Sequence, residues 1–258
     1  GDAETVVFVG GISPRVEGEE MKVSDPGFKG GDRTDINLPT VQRQMLQLLH
    51  KAGKRVVFIN CSGGAIALTE EAPLCDAIVQ GWYGGERGGE AMAEILMGEV
   101  NPSGKLPITF YRSTDDLPDF LDYRMTGRTY RYFKGEVLYP FGYGLSYTSF
   151  EVGKPQYKNG VVAVNVKNTG KMDGTEVVQV YLRRTADTEG PLKSLRAYSR
   201  ISVKAGQSQK VSIPLPREQF EGWDAKNNSM RVVPGQYELM VGTSSADKDL
   251  KTIKVNMK

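Results

Sequence analysis

From Phe150 to the C-terminus the apolar residues fall on every second position. Ahead of it, β-branched runs alternate with stretches whose apolar residues recur every three or four positions. One layer arrangement cannot bury both patterns, because period two lines one face of a strand and the longer period lines one stripe of a helix. The chain therefore divides into two domains of different class, 1–147 and 148–258, and its 258 residues are enough for both. Charge divides at the same place. Residues 1–147 carry 15 Lys and Arg against 20 Asp and Glu, and residues 148–258 carry 18 against 11. The basic surplus is scattered along alternating strands, which is the pattern of solvated faces and not of a nucleic-acid patch.

The first domain reads as strand, helix, strand. Residues 6–9 form an apolar strand ended by Gly10 and Gly11, and a loop with Glu17, Glu19 and Glu20 follows. Crowded carboxylates raise the pKa of at least one of them, which suits a proton donor; a solvated acidic turn has the same composition. Asn37 with Pro39 predicts a helix start. Val41, Met45, Leu48 and Ala52 then recur at helical spacing, and Gly53 closes the run. Strands are expected at 56–60, 77–82 and 106–111, with a helix at 88–97. Such alternation implies a mostly parallel sheet flanked by helices, with sites in the loops at the carboxyl ends of the strands. The acidic loop, residues 61–64 and residues 83–89 all leave from that edge.

Residues 118–141 space Tyr123, Tyr130, Tyr132, Phe133 and Tyr139 among Arg124, Arg128 and Arg131. They are either an arm packed on a domain surface or a platform for sugar rings. The run Gly84 to Gly89 before a helix raises nucleotide binding, but its spacing is not that of a phosphate loop, and Glu86 and Glu90 would repel phosphate. Cys61 and Cys75 are too few for a disulfide scaffold and are read as free and buried. The lone His50 has no partner at ligand spacing, so no metal and no cofactor is expected. No apolar run approaches the length of a membrane span and no basic-then-apolar leader opens the chain, so either a cytosolic protein or one whose signal lies outside this sequence is expected. Past Phe150, turn signals separate about seven short alternating strands, an all-β sandwich. Trp223 with Asp224 reads there as a core or edge aromatic beside a turn aspartate.

The stretches VVFVGG, GGDRTDINLPTVQ, VVFINCSGGAIAL, AIVQGWYGGERGGEAMAEILMGEVNPSGKLPITFY, YPFGYGLSYTSF, VNVKNTGKMDGTEVVQVYL and VVPGQYELMVG occur in this order. Together they resemble the C-terminal part of the family 3 glycoside hydrolases, the β-glucosidases and β-xylosidases. The resemblance implies a partial α/β sandwich domain followed by a fibronectin III-like domain. It also implies an N-terminal barrel, outside this chain, that carries the aspartate nucleophile. The general acid/base of such enzymes is a Glu in the loop after the glycine-ended strand. Counting from Gly11 selects Glu17, and counting back from Asp32-Arg33 selects Glu19, with Glu20 a third option. Asp32-Arg33 itself reads as structural. The implied activity is retaining hydrolysis of terminal β-linked sugars in the periplasm or outside the cell, on oligosaccharide or β-glycoside substrates, with the chain alone inactive. The alternative is a non-catalytic carbohydrate-binding or assembly module on the same scaffold. Gly84 departs from the family, standing where many relatives have proline.

Overall fold

The computed structural model of the chain describes residues 2–13, 16, 23–30 and 32–258. By its own contacts the chain forms two compact units. The first comprises Gly1–Met97, Phe110–Tyr123 and Gly135–Tyr139; the second comprises Gly98–Thr109, Arg124–Lys134 and Pro140–Lys258.

The first unit runs β1 (Thr5–Gly11), β2 (Phe28–Lys29), β3 (Asp32–Arg33), α1 (Thr40–Lys51), β4 (Arg55–Cys61), β5 (Ala77–Gln80) and α2 (Gly88–Leu96). Strands β1, β4 and β5 form a parallel sheet in that order, with Val6 opposite Val56 and Phe58 opposite Ile78. The central position of β4 explains its continuous apolar run, since both of its faces are covered. Val56, Phe58 and Ile59 are buried there with Asn60. Leu38, Leu46, Ile66 and Leu68 complete one core with Ile12. Strand β1 is instead half-exposed, with Val7 and Val9 open on one face.

Two local expectations are corrected here. Asn37 does not cap α1: no side chain caps the helix, Pro39 occupies the cap position, and the Asn37 N–H donates to the Asp35 carboxylate at 2.8 Å. Proline's fixed φ suits helix entry and overrides the Asn signal. Nor is the stripe Val41, Met45, Leu48 the buried one, since all three are exposed. The inward face is Gln42, Arg43, Leu46 and Leu49, in which two polar residues hold specific partners.

The expected strand at 106–111 is likewise absent from the sheet. Pro107 removes a ladder donor, and only Phe110 makes a bridge, to Tyr139. Strand β5 stops at Gln80, short of the expected Trp82, because Trp82 sits in the left-handed region at φ 53°. Phe110 meets its indole edge-on at 6.4 Å.

The second unit opens with a short helix α3 (Thr129–Tyr132) and then contains strands β6 (Phe150–Val152), β7 (Gln156–Lys158), β8 (Val161–Asn168), β9 (Gly174–Arg184), β10 (Ser194–Val203), β11 (Ser208–Pro214), β12 (Gly222–Asp224), β13 (Ser229–Arg231), β14 (Gly235–Gly242) and β15 (Leu250–Met257). One sheet has the order β10-β9-β14-β15, and the other β11-β8-β6 with β7 also pairing β8. Val162, Val164 and Val166 of β8 share one core with Val178, Val180 and Leu182 of β9. The period-two alternation thus becomes the interior of a sandwich. The strands beyond about seven are the short pieces β7, β12 and β13. Trp223 is an edge aromatic, 59% exposed opposite Met230.

Candidate active site at the carboxyl edge of the sheet

Strands β1, β4 and β5 end together, and three loops leave from that edge in the first unit. The first of them is the segment after Gly11. Gly11 has φ 122°, and a Cβ there would lie 2.0 Å from the Cys61 carbonyl oxygen, so only glycine fits. Its peptide is gripped on both sides by Gln42 of α1. The Gln42 Oε1 accepts from Gly11 N–H at 2.7 Å, and Gln42 Nε2 donates to the Gly11 carbonyl at 2.7 Å.

The next residue is held twice more. Ile12 N–H donates to the Cys61 carbonyl at 2.9 Å. Tyr83 Oη, in the loop after β5, donates to the Ile12 carbonyl at 2.5 Å. The Ile12 side chain is buried in the core. All three loops are therefore tied to one dipeptide, Gly11-Ile12, from which the acidic segment departs. Glu17, Glu19 and Glu20 lie outside the described residues.

The chain comes back through the β2–β3 hairpin, where Thr34 N–H bonds the Gly27 carbonyl at 2.8 Å. The Arg33 guanidinium donates to the carbonyls of Ala65 and Asn37 at 3.4 and 3.3 Å. Arg33 thus ties the return to β4's following loop and to the entry of α1, the structural part expected of it. Both feet of the acidic segment are fixed to rigid elements.

The second loop is braced from below by a buried amide network. Asn60 Nδ2 donates to Gln80 Oε1 at 2.6 Å and to Ser62 Oγ at 3.2 Å, and Ser62 Oγ donates to the Gly64 carbonyl at 2.8 Å. Asn60 and Ser62 are fully buried. Low local dielectric strengthens such bonds, so the strand ends are held stiffly. The glycine run after β5 leads into α2, whose first turn carries Glu90 paired to Arg87. That hydrogen bond holds the Glu90 carboxyl below its usual range, so the turn presents an ionised carboxylate. It is a poor seat for phosphate.

A groove of 440 Å³ lies between the sheet and α2, lined by Val7, Val9, Ile59, Cys61, Met92 and Leu96 among others. Its walls carry no acid–base pair, so it offers shape without chemistry. Among the described residues no cluster of three or more His, Cys, Asp and Glu is arranged to hold a metal ion. His50 is exposed in the last turn of α1.

The aromatic segment is divided in its roles. Tyr130 stacks on Phe141 at 4.2 Å and meets Tyr181 edge-on, in the second unit. Tyr139 meets Phe110 at 6.1 Å in the first. These rings are packing residues, while Tyr123 is 84% exposed.

The family model described as the glycosyl hydrolase family 3 C-terminal domain matches residues 1–147, more than half the chain. The chain belongs to glycosyl hydrolase family 3. A fibronectin type III-like domain model matches residues 176–245, within the sandwich. The family 3 chain is 52% identical to a xylan 1,4-β-xylosidase of Xylanibacter ruminicola over 98% of its own length and 30% of the relative's. It is 37% identical to a periplasmic β-glucosidase of Salmonella typhimurium, over 84% of this chain and 31% of that protein. Among solved structures, a β-glucosidase from Streptomyces venezuelae in complex with D-glucose superposes with a TM-score of 0.84 at 29% identity, covering 100% of this chain and 34% of the other. The chain thus spans about a third of the length of these relatives. Gln42 and Tyr83 were not among the residues expected at the site; their partners are backbone atoms 31 and 71 positions away.

Proposed function

We propose that this chain is the acid/base-bearing part of a retaining β-glycosidase that removes terminal β-linked glucose or xylose. Glu17 or Glu19 is the proton donor, and the nucleophile comes from a barrel outside the chain. The observation that carries the reading is the tethering of both feet of the acidic segment to the carboxyl edge of the sheet. A donor must be delivered to a fixed point, and rigid elements deliver it more accurately than a free loop. The names of the family relatives support the reaction class.

Retaining enzymes place two carboxyl groups ~5 to 5.5 Å apart, one attacking the anomeric carbon while the other protonates the departing oxygen. Glu17 or Glu19 first gives its proton to the leaving group. It then takes one from the water that attacks the glycosyl-enzyme, so the same carboxyl serves both steps. The donor must be protonated when substrate binds, and crowding by the neighbouring carboxylates favours that state. A periplasmic or extracellular location is supported by the Salmonella relative's name.

The test places this chain in exchange for the matching segment of the Xylanibacter ruminicola xylosidase, with aryl β-xylosides and β-glucosides as substrates. Glu17→Gln and Glu19→Gln are compared with the unaltered chimera. The donor's variant loses ~10² to 10⁴-fold on aryl groups that leave poorly and little on activated ones. Full activity in both variants, with all leaving groups, overturns the assignment to Glu17 and Glu19, and the same result in Glu20→Gln leaves a binding or assembly module.

A further inference from the structure

We infer that Tyr83 and Gln42 are positioning residues for the proton donor, acting through the peptide units of Gly11 and Ile12. The inference rests on the reading of the acidic segment given above. Three bonds converge on this dipeptide from two different elements. Gln42 reaches from α1 and holds the Gly11 N–H and carbonyl together. Tyr83 reaches from the loop after β5 and holds the Ile12 carbonyl.

A strand end needs none of these side chains to stay in its sheet. The β1–β4 register already runs to Gly11 opposite Cys61, and Ile12 N–H adds a further bond to Cys61. What the two side chains add is a fixed orientation of the peptide planes at the point where the chain leaves. At φ 122°, Gly11 belongs to the residue type with the widest backbone freedom, so without a grip its peptide could rotate. Each bond is also made by an unusual group. Gln42 lies on the inward stripe of α1, where an apolar residue would pack without a partner. Tyr83 is 45% exposed, yet its hydroxyl turns to a main-chain carbonyl. Its ring closes over Gly63, where a Cβ would meet the ring carbon at 3.0 Å. The loops after β1, β4 and β5 are thereby locked to one another. A small rotation at Gly11 or Ile12 changes the direction in which the chain leaves the strand, and ~1 Å of misplacement at a donor can cost on the order of 10²-fold in rate.

The variant to make in the same chimera is Tyr83→Phe, which keeps the ring over Gly63 and deletes only the hydroxyl. The expected result is a kcat loss of about tenfold on aryl glycosides that leave poorly and under about twofold on activated ones, with KM unchanged. A donor swung toward water has a lower pKa, so the alkaline limb of the kcat profile moves to lower pH. Combined with the donor's Gln variant, Tyr83→Phe should add no further loss. Gln42→Glu is the second variant: it keeps the acceptor for Gly11 N–H and removes the donor to the Gly11 carbonyl, with the same pattern expected. Equal losses on all leaving groups, or no loss with an unmoved pH profile, overturn the inference. A leaving-group effect in a Glu variant but not in Tyr83→Phe removes the clamp and keeps the donor. The effect in Tyr83→Phe without one in either Glu variant keeps the clamp and removes Glu17 and Glu19.

Discussion

Burial pushes the Cys75 thiol up to about 11, with the carboxylates of Glu71 and Asp76 adding to the shift. The thiolate is the nucleophile, so at pH 8 the reactive fraction is about 100-fold smaller than for a thiol at its ordinary value of 9.0. Iodoacetamide at pH 8 should therefore label Cys75 far more slowly in the folded chain than in the urea-unfolded chain, read by peptide mass spectrometry. Equal rates would contradict it. Both cysteines are free, as expected from their number, but both are half-buried and not fully enclosed. At this scale the sequence reveals residue types better than partners. Glu17 and Glu19 stand out because acidic clusters are visible in a string of letters. Gln42 and Tyr83 do not, because a side chain that bonds a distant peptide group leaves no local pattern. Arg43 is a similar case: its guanidinium binds Glu71, 2% exposed, and Glu70 on the segment after β4. Nothing in the spacing of these residues announces the pair.

At the scale of elements, periodicity located α1, β4, α2 and the long sandwich strands, although α2 contains no buried residue and α1 only Leu46. It misjudged which stripe of α1 turns inward. The apolar residues there are distributed around the helix, and the inward face begins with Gln42 and Arg43, whose burial is compensated by specific bonds. Leu46 is fully buried against β4 and the core of the first unit. Leu46→Ala should cost about 2 to 5 kcal/mol through lost burial and a residual cavity. Val41→Gln and Leu48→Gln, at 70% and 61% exposure, should stay within about 0.5 kcal/mol of the parent. Urea unfolding of the three variants decides whether the inward stripe is correctly assigned; the reverse order would restore the stripe read from spacing. The missing strand at 106–111 has another cause. Its apolar alternation is real, but its backbone partners lie not in the sheet but at 139–143, where Leu106 N–H bonds the Tyr143 carbonyl and Phe110 N–H the Tyr139 carbonyl. Alternation marks extended chain and does not choose the neighbour.

At the scale of the molecule, sequence order and compactness part company. Segments Gly98–Thr109 and Arg124–Lys134 precede the sandwich strands in sequence yet pack within the second unit. Lys105 is the clearest instance. Its ammonium bonds the Glu176 carboxylate at 2.8 Å and the Gly144 carbonyl at 3.0 Å, with the two side chains 13% and 7% exposed. Glu176 lies on β9, the strand that carries Val178 and Val180 into the core. Removing the cation leaves a carboxylate buried with the Val177 N–H as its remaining described donor. Breaking one partner of a buried pair typically costs ~3 to 5 kcal/mol, because the other charge stays desolvated. Each unit contains one of the two tryptophans, Trp82 in the first and Trp223 in the second, so their fluorescence can be followed separately. In a Trp82→Phe background, Lys105→Met should lower the stability reported by Trp223 by about 3 kcal/mol. The double variant Lys105→Met with Glu176→Leu should recover much of the loss, since an apolar pair of similar volume removes the buried charge. An unmoved Trp223 transition in Lys105→Met would mean that the Lys105–Glu176 pair contributes nothing to the stability of the sandwich. The shift, if seen, assigns the stability of the second unit to residues drawn from both halves of the sequence.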